Sequence, residues 1–116
     1  MKQELKFNTI LQIWDDYKCW CIFSDDGRVS CKLSIYNDNL QDAFISDLYV
    51  DESIRKQGCA TAILNWCSEY AKDRGCNSLS LRSDNDDWVR EWYKRLGFKV
   101  EYSQVWLTKN IDKLKE

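Results

Sequence analysis

Hydrophobic positions along this chain change their period part-way through. In the first half they fall in short, β-favouring runs. The segment Leu5 to Trp14, "LKFNTILQIW", reads as a strand of imperfect alternation. "YKCWCIFS" and "VSCKLSIY" are two more, joined by Asp25-Asp26-Gly27-Arg28, where glycine supplies the positive φ of a hairpin turn. After a polar loop, "NDNLQD", the segment Ala43 to Val50 ("AFISDLYV") reads as a fourth strand, so the first half is an antiparallel meander. From Ala60 the spacing lengthens: Ala60, Ile63, Leu64, Cys67, Tyr70 and Ala71 share one face at 3.6 residues per turn. That helix should stop at "DRGC", with Gly75 just past its end. "SLSLRS" alternates as a short strand. In "DNDDWVREWYKRLGF" the acidic and amide residues favour a helix start, and Val89, Trp92, Tyr93 and Leu96 share a face before Gly97 ends it. "FKVEY" and "SQVWLTK" form a last pair of strands. The predicted order is β-β-β-β-α-β-α-β-β, an α+β fold with a mixed sheet around a central β-α-β unit.

Composition narrows the function classes. At 116 residues, 44% hydrophobic and 14% aromatic, the chain is expected to form one domain over 1–116 with a bulky core. A net charge of -2 argues against nucleic acid as a partner. No apolar run approaches the roughly 20 residues of a membrane span. The start, "MKQELKFNTI", lacks the apolar segment of a secretory signal, which implies a cytoplasmic setting. The six cysteines include Cys19 and Cys21 as CxC, with Cys31, Cys59, Cys67 and Cys76 scattered. Without a CxxC or any histidine, a zinc site would need four thiolates from distant elements, so no metal is expected and reduced buried thiols are.

The joint between the fourth strand and the first helix carries the candidate chemistry. The chain has only four glycines and no proline, yet Gly58 stands where the helix should begin. The first turn of a helix presents unpaired N–H groups and a partial positive charge. Arg55, Lys56, Gln57, Gly58, Cys59, Ala60 and Thr61 add consecutive amides, two cationic side chains and small residues, a setting that suits phosphate. From these residues alone a tight turn with solvated basic side chains explains the stretch as well. The spacing of a nucleotide P-loop is absent.

The run from Val50 to Ala60, "VDESIRKQGCA", resembles the acyl-CoA-binding motif of the GNAT superfamily of N-acetyltransferases, R/Q-x-x-G-x-G/A after a strand ending in L-x-V. Arg55, Gly58 and Ala60 match it, with Leu48, Tyr49 and Val50 at the right distance upstream. "WYKRLGF" (Trp92 to Phe98) is similar to the family's "LYxxLGF" helix end. The resemblance implies acetyl-CoA as co-substrate. Backbone groups of Leu48, Tyr49 and Val50 would pair with its pantetheine arm, and amides from Arg55 through Thr61 would hold its pyrophosphate. The Tyr93 hydroxyl would lie near the sulfur, and the strand carrying Val50 would splay from Ser78–Ser83. There are departures. Lys56 replaces a frequent glycine, and Glu52 a frequent proline. The asparagine often found seven residues before the tyrosine is Asp86 here, with Asn85, the candidate for that cofactor contact, one residue out. No pair of helices lies between the first two strands, which implies an open site, a large acceptor, or completion by a second subunit in a homodimer.

Acyl transfer to an amine needs a neutral nucleophile, a polarised carbonyl and a protonated leaving sulfur. The amide of Val50 is the candidate oxyanion donor, and Tyr93 the candidate acid, although its helical spacing also suits a core aromatic. With no histidine, Asp47 is the candidate base or ammonium anchor, two residues before Tyr49 and so on its face; an edge charge is the competing reading. The expected function is transfer of acetyl from acetyl-CoA to an amine of a small molecule or protein. The alternative is a catalytically inactive GNAT-like CoA-binding or protein-interaction module.

Overall fold

A computed structural model of the protein describes residues 5–82, 87–100 and 106–111. Four strands come first: β1 (Phe7–Ile13), β2 (Tyr17–Ser24), β3 (Val29–Tyr36) and β4 (Asn39–Val50). A single 3-10 turn (Glu52–Ile54) leads into α1 (Cys59–Asp73). Then follow β5 (Ser78–Arg82), α2 (Asp87–Arg95), β6 (Lys99–Val100) and β7 (Trp106–Asn110). The element order is the predicted one, in a seven-stranded sheet ordered β1-β2-β3-β4-β5-β7-β6. β1 to β4 form the antiparallel meander; β4 and β5 run parallel across the α1 crossover; β7 lies antiparallel between β5 and β6.

Alternation along β3 sets the two faces of the sheet. Val29, Cys31, Leu33 and Ile35 are buried, and the residues between them point the other way. Ile63, Leu64, Cys67 and Ala71 of α1 close over the buried row, and Cys31 and Cys67 meet with their sulfurs 3.5 Å apart. The hydrogen bond with Cys31, reinforced by burial, holds the Cys67 thiol far above its ordinary pKa, so this pair is inert packing. All six cysteines are free thiols. α2 lies on the same side as α1. Lys109 of β7 is the register partner of Leu79, itself the partner of Ala43 on the helix-covered face. Its ammonium donates to the carbonyl of Leu96 just past the end of α2 (3.0 Å) and lies 5.3 Å from the centre of the Phe98 ring. Burial lowers the Lys109 pKa, and the bonded carbonyl at a helix C-terminus is a natural partner for the cation. Among the described residues, no helix covers the opposite face.

Within the meander the boundaries differ from the sequence reading in two places. β1 spans Phe7–Ile13 rather than Leu5 to Trp14, because Trp14 already turns into the hairpin, its N–H bonded to the carbonyl of Tyr17. The segment read as a polar loop is mostly strand, and only Asn37 and Asp38 make the turn. Asn37 anchors that turn by donating through its backbone N–H to Asp16 and through its side chain to Asp15. Asn39, Leu40 and Gln41 then extend β4 beyond the core, all three exposed. The end of α1 is as read: Gly75 sits at φ 92, and the Gly75 and Cys76 amides satisfy the carbonyls of Lys72 and Ala71.

Candidate functional site

The ladder between β4 and β5 runs from Asp42–Ser78 to Ile45–Leu81 and stops. β5 continues to Arg82 beside β7, while β4 continues to Val50 beside β3. Among the described residues, Leu48, Tyr49 and Val50 therefore keep a strand neighbour on one side only. The Asp51 amide donates to the carbonyl of Arg28, toward β3 (2.7 Å). Strand alternation turns the Val50 backbone the other way, into the gap, and the Arg55 Nε donates to the Val50 carbonyl there at 3.0 Å.

A bulge sits where the strands part. Between the pairs Lys32–Ser46 and Ser30–Tyr49, β3 has one residue, Cys31, and β4 has two, Asp47 and Leu48. Asp47 takes a left-handed φ of 54. The extra residue resolves a conflict in the pattern. Ala43 and Ile45 point to the helices, and so do Leu48 and Val50, which an unbroken strand cannot achieve. Without the bulge, Asp47 would enter the core. With it, Asp47 lies on the helix-free face with Tyr49, its carboxylate 3.4 Å from Lys32 Nζ and its side chain 68% exposed. That hydrogen bond raises the Lys32 pKa.

The loop into α1 is fixed from below. Asp51 accepts hydrogen bonds from the Ser53 amide, the Ser53 hydroxyl and the Tyr49 hydroxyl, which together lower its pKa. The same contact with Asp51 raises the Tyr49 pKa. Arg28 reaches Ser53 from the β2–β3 hairpin (3.3 Å) and pairs with Asp26 (2.9 Å). Lys56 and Gly58 both adopt positive φ, 66 and 80. Gly58 is the residue before the first turn of α1; no side chain caps that turn and no acidic residue lies in it. The amides of Cys59, Ala60 and Thr61 thus have no intrahelical acceptor. A Cβ built on Gly58 meets no atom within 4 Å, so the backbone angle, rather than crowding, demands glycine. A groove of about 1060 Å³, lined by Phe7, Asp26, Arg28, Cys59 and Trp66 among others, opens on the β1–β2 side of the same helix start, away from the parted strands.

The hairpin partner in this network gives a pH signature. Hydrogen bonds from the Arg28 amide, the Ser24 hydroxyl and the Arg28 side chain lower the Asp26 pKa from 3.8 to about 2. A depressed carboxylate contributes stability that is present above its unfolded value and lost as pH falls through the folded one. Asp26→Asn is therefore expected to melt below wild type at neutral pH, with the gap closing from pH 4 toward pH 2. Thermal melts across that range test this, and a gap independent of pH would contradict it.

Tyr93 is buried on α2, with Trp92 and Phe98 against its ring at 4.8 and 5.6 Å. Asn85, with Asp84 and Asp86, lies outside the described residues. The remaining candidates converge. Leu48, Tyr49 and Val50 border the gap, and Arg55 through Thr61 form the turn that closes its end. Asp47 stands at the bulge, already paired with Lys32. Sequence reading missed the Asp51–Ser53–Arg28–Asp26 network. A hint was present, since Asp51 two residues before Ser53 is a common turn-forming pair.

The Acetyltransferase (GNAT) family model matches residues 2–98. The chain belongs to the GNAT family. An N-acetyltransferase of uncharacterised role from Methanocaldococcus jannaschii is 38% identical over 73 residues, covering 56% of this chain and 30% of that one. The chain thus matches under a third of the length of that relative. Among solved structures, nourseothricin acetyltransferase superposes with a TM-score of 0.65 at 16% identity, covering 96% of this chain and 86% of that one. An acetyltransferase from Bacillus cereus gives 0.62 at 22% identity, covering 94% and 76%. These likenesses establish the GNAT fold, an α+β mixed sheet, and membership in the family supports acyl transfer as the general activity.

Proposed function

We propose that this GNAT protein is an N-acetyltransferase that moves an acetyl group from acetyl-CoA to the amine of a small molecule or protein, within a single domain spanning 1–116. One observation supports it above others: among the described residues β4 outruns its ladder with β5 and delivers a backbone edge with no strand beside it to an uncapped helix start. The chain's own groups fit the co-substrate there. The Leu48–Val50 edge offers strand-like hydrogen bonds to an amide-containing arm. The amides of Gly58 to Thr61, with the Arg55 and Lys56 charges, suit a pyrophosphate. In this reading the Val50 N–H donates to the thioester oxygen as negative charge develops on it, and Tyr93 returns a proton to the departing sulfur. Asp47, exposed on the helix-free face, receives the acceptor's ammonium in exchange for Lys32 and takes its proton, so that the neutral amine attacks the thioester carbon as the C–S bond breaks. Asn85 contributes a further contact to the cofactor. Positioning supplies much of the rate, because a thioester is intrinsically reactive. The setting is cytoplasmic.

The test is release of free thiol from acetyl-CoA over a panel of amines, polyamines and lysine peptides, against a no-acceptor control. Acceptor-dependent release supports the enzyme. Tight acetyl-CoA binding with no release over the whole panel would favour a CoA-binding module instead.

A further inference from the structure

Among the described residues the sheet has one long free edge, and nothing on it discourages pairing. β1 is outermost in the strand order, whereas β6, at the other edge, is two residues long. Edge strands are usually blunted by charge, proline or a bulge. The sequence of β1, FNTILQI, has no charge and no proline, and its register with β2 is unbroken. Ile10, Leu11 and Ile13 are 55%, 45% and 70% exposed, and Trp14 just beyond is 53% exposed.

The direction of the backbone groups follows from the turn. The Trp14 amide donates to the Tyr17 carbonyl at 2.8 Å, and the same register continues through Gln12–Cys19, Ile10–Cys21 and Asn8–Phe23. Alternation then aims the backbone groups of these even-numbered residues at β2. Those of Phe7, Thr9, Leu11 and Ile13 point outward, with no strand beside them.

We propose that β1 pairs antiparallel with β1 of a second copy of this chain, about a twofold axis at Ile10, joining two sheets into one. In that register Thr9 faces Leu11 of the second copy and Phe7 faces Ile13, so every outward backbone group finds a partner. Asn8 faces Gln12, amide to amide, and Ile10 faces itself on the axis. The match is self-complementary, as a twofold contact requires. The twofold sets the direction, and the charges immediately flanking β1 agree with it. Lys6 precedes β1, and Asp15 and Asp16 follow it. Antiparallel pairing sets the basic end of each strand beside the acidic turn of the other, while parallel pairing would set like beside like. A twofold contact uses the same edge of both copies, so assembly through β1 closes at two. The inference is independent of the acyl-transfer reading.

Light scattering on a sizing column should give a mass of two 13.8 kDa chains. Thr9→Pro removes an outward donor that the β1–β2 ladder does not use, so it should give single chains with an unchanged circular dichroism spectrum. Ile10→Cys places two thiols at a non-hydrogen-bonded pair, where Cα atoms lie about 4.5 Å apart and a disulfide closes. Mild oxidation should link that variant through position 10, as mapped by mass spectrometry of its peptides. A wild-type protein of single-chain mass overturns the proposal. So does a folded Thr9→Pro variant that stays dimeric, or an oxidised Ile10→Cys variant linked only through other cysteines.

Discussion

Gly58→Trp is expected to abolish the rise in melting temperature that acetyl-CoA gives the wild-type protein. A ligand at a hundredfold its dissociation constant stabilises the native state by about 2.7 kcal/mol. For a domain near this size that corresponds to a rise on the order of 10 °C. The variant meets two separate penalties. A left-handed φ of 80 costs a non-glycine residue about 1–2 kcal/mol, which lowers the melting temperature with or without ligand. The indole then fills the space above the first-turn amides, and only this second effect removes the ligand-induced rise. Gly58→Ala separates them. Its Cβ would meet nothing within 4 Å, so it should melt lower than wild type yet keep most of the rise. Differential scanning fluorimetry with and without acetyl-CoA reads both. An undiminished rise in Gly58→Trp would move the cofactor away from this turn.

Tyr93→Phe is expected to lower turnover on the order of 10²-fold, the low end for a general acid, because a thiolate leaves comparatively easily. Acetyl-CoA affinity should change little, since the proposed role begins only when the sulfur departs. The ring stays packed between Trp92 and Phe98 in either variant, and the melting temperature without ligand reads any separate effect of the lost hydroxyl on stability. Steady-state kinetics paired with calorimetry distinguish the cases. Equal turnover would leave Tyr93 as a core residue, the role its burial already fulfils.

What was legible in the sequence was what local spacing controls. The face of α1 followed from Ile63, Leu64, Cys67 and Ala71, and its end from Gly75, because burial and a left-handed angle impose those residue types wherever the helix docks. The turn at Gly58 was recognisable as a candidate because a helix start and a glycine coincide there. The bulge at Asp47 was not read, although Ile45 and Leu48 gave it away: both are apolar, three apart, and required on one face of one strand. The extension of β4 through Asn39–Asp42 was hidden because polar residues mark loops and exposed strand ends alike. The clamp of Arg28 on Ser53 joins residues 25 apart in sequence, and no local pattern announces a tertiary contact of that kind.

Both described helices pack on one side of the sheet, and the parted strands meet solvent on the other. Access to the gap then needs no packed helix to swing aside, so the slow lid movements that limit many enzymes have no counterpart among the described elements. If reactants exchange at that gap as proposed, selectivity rests on the fixed shape and charge of the described residues that border it.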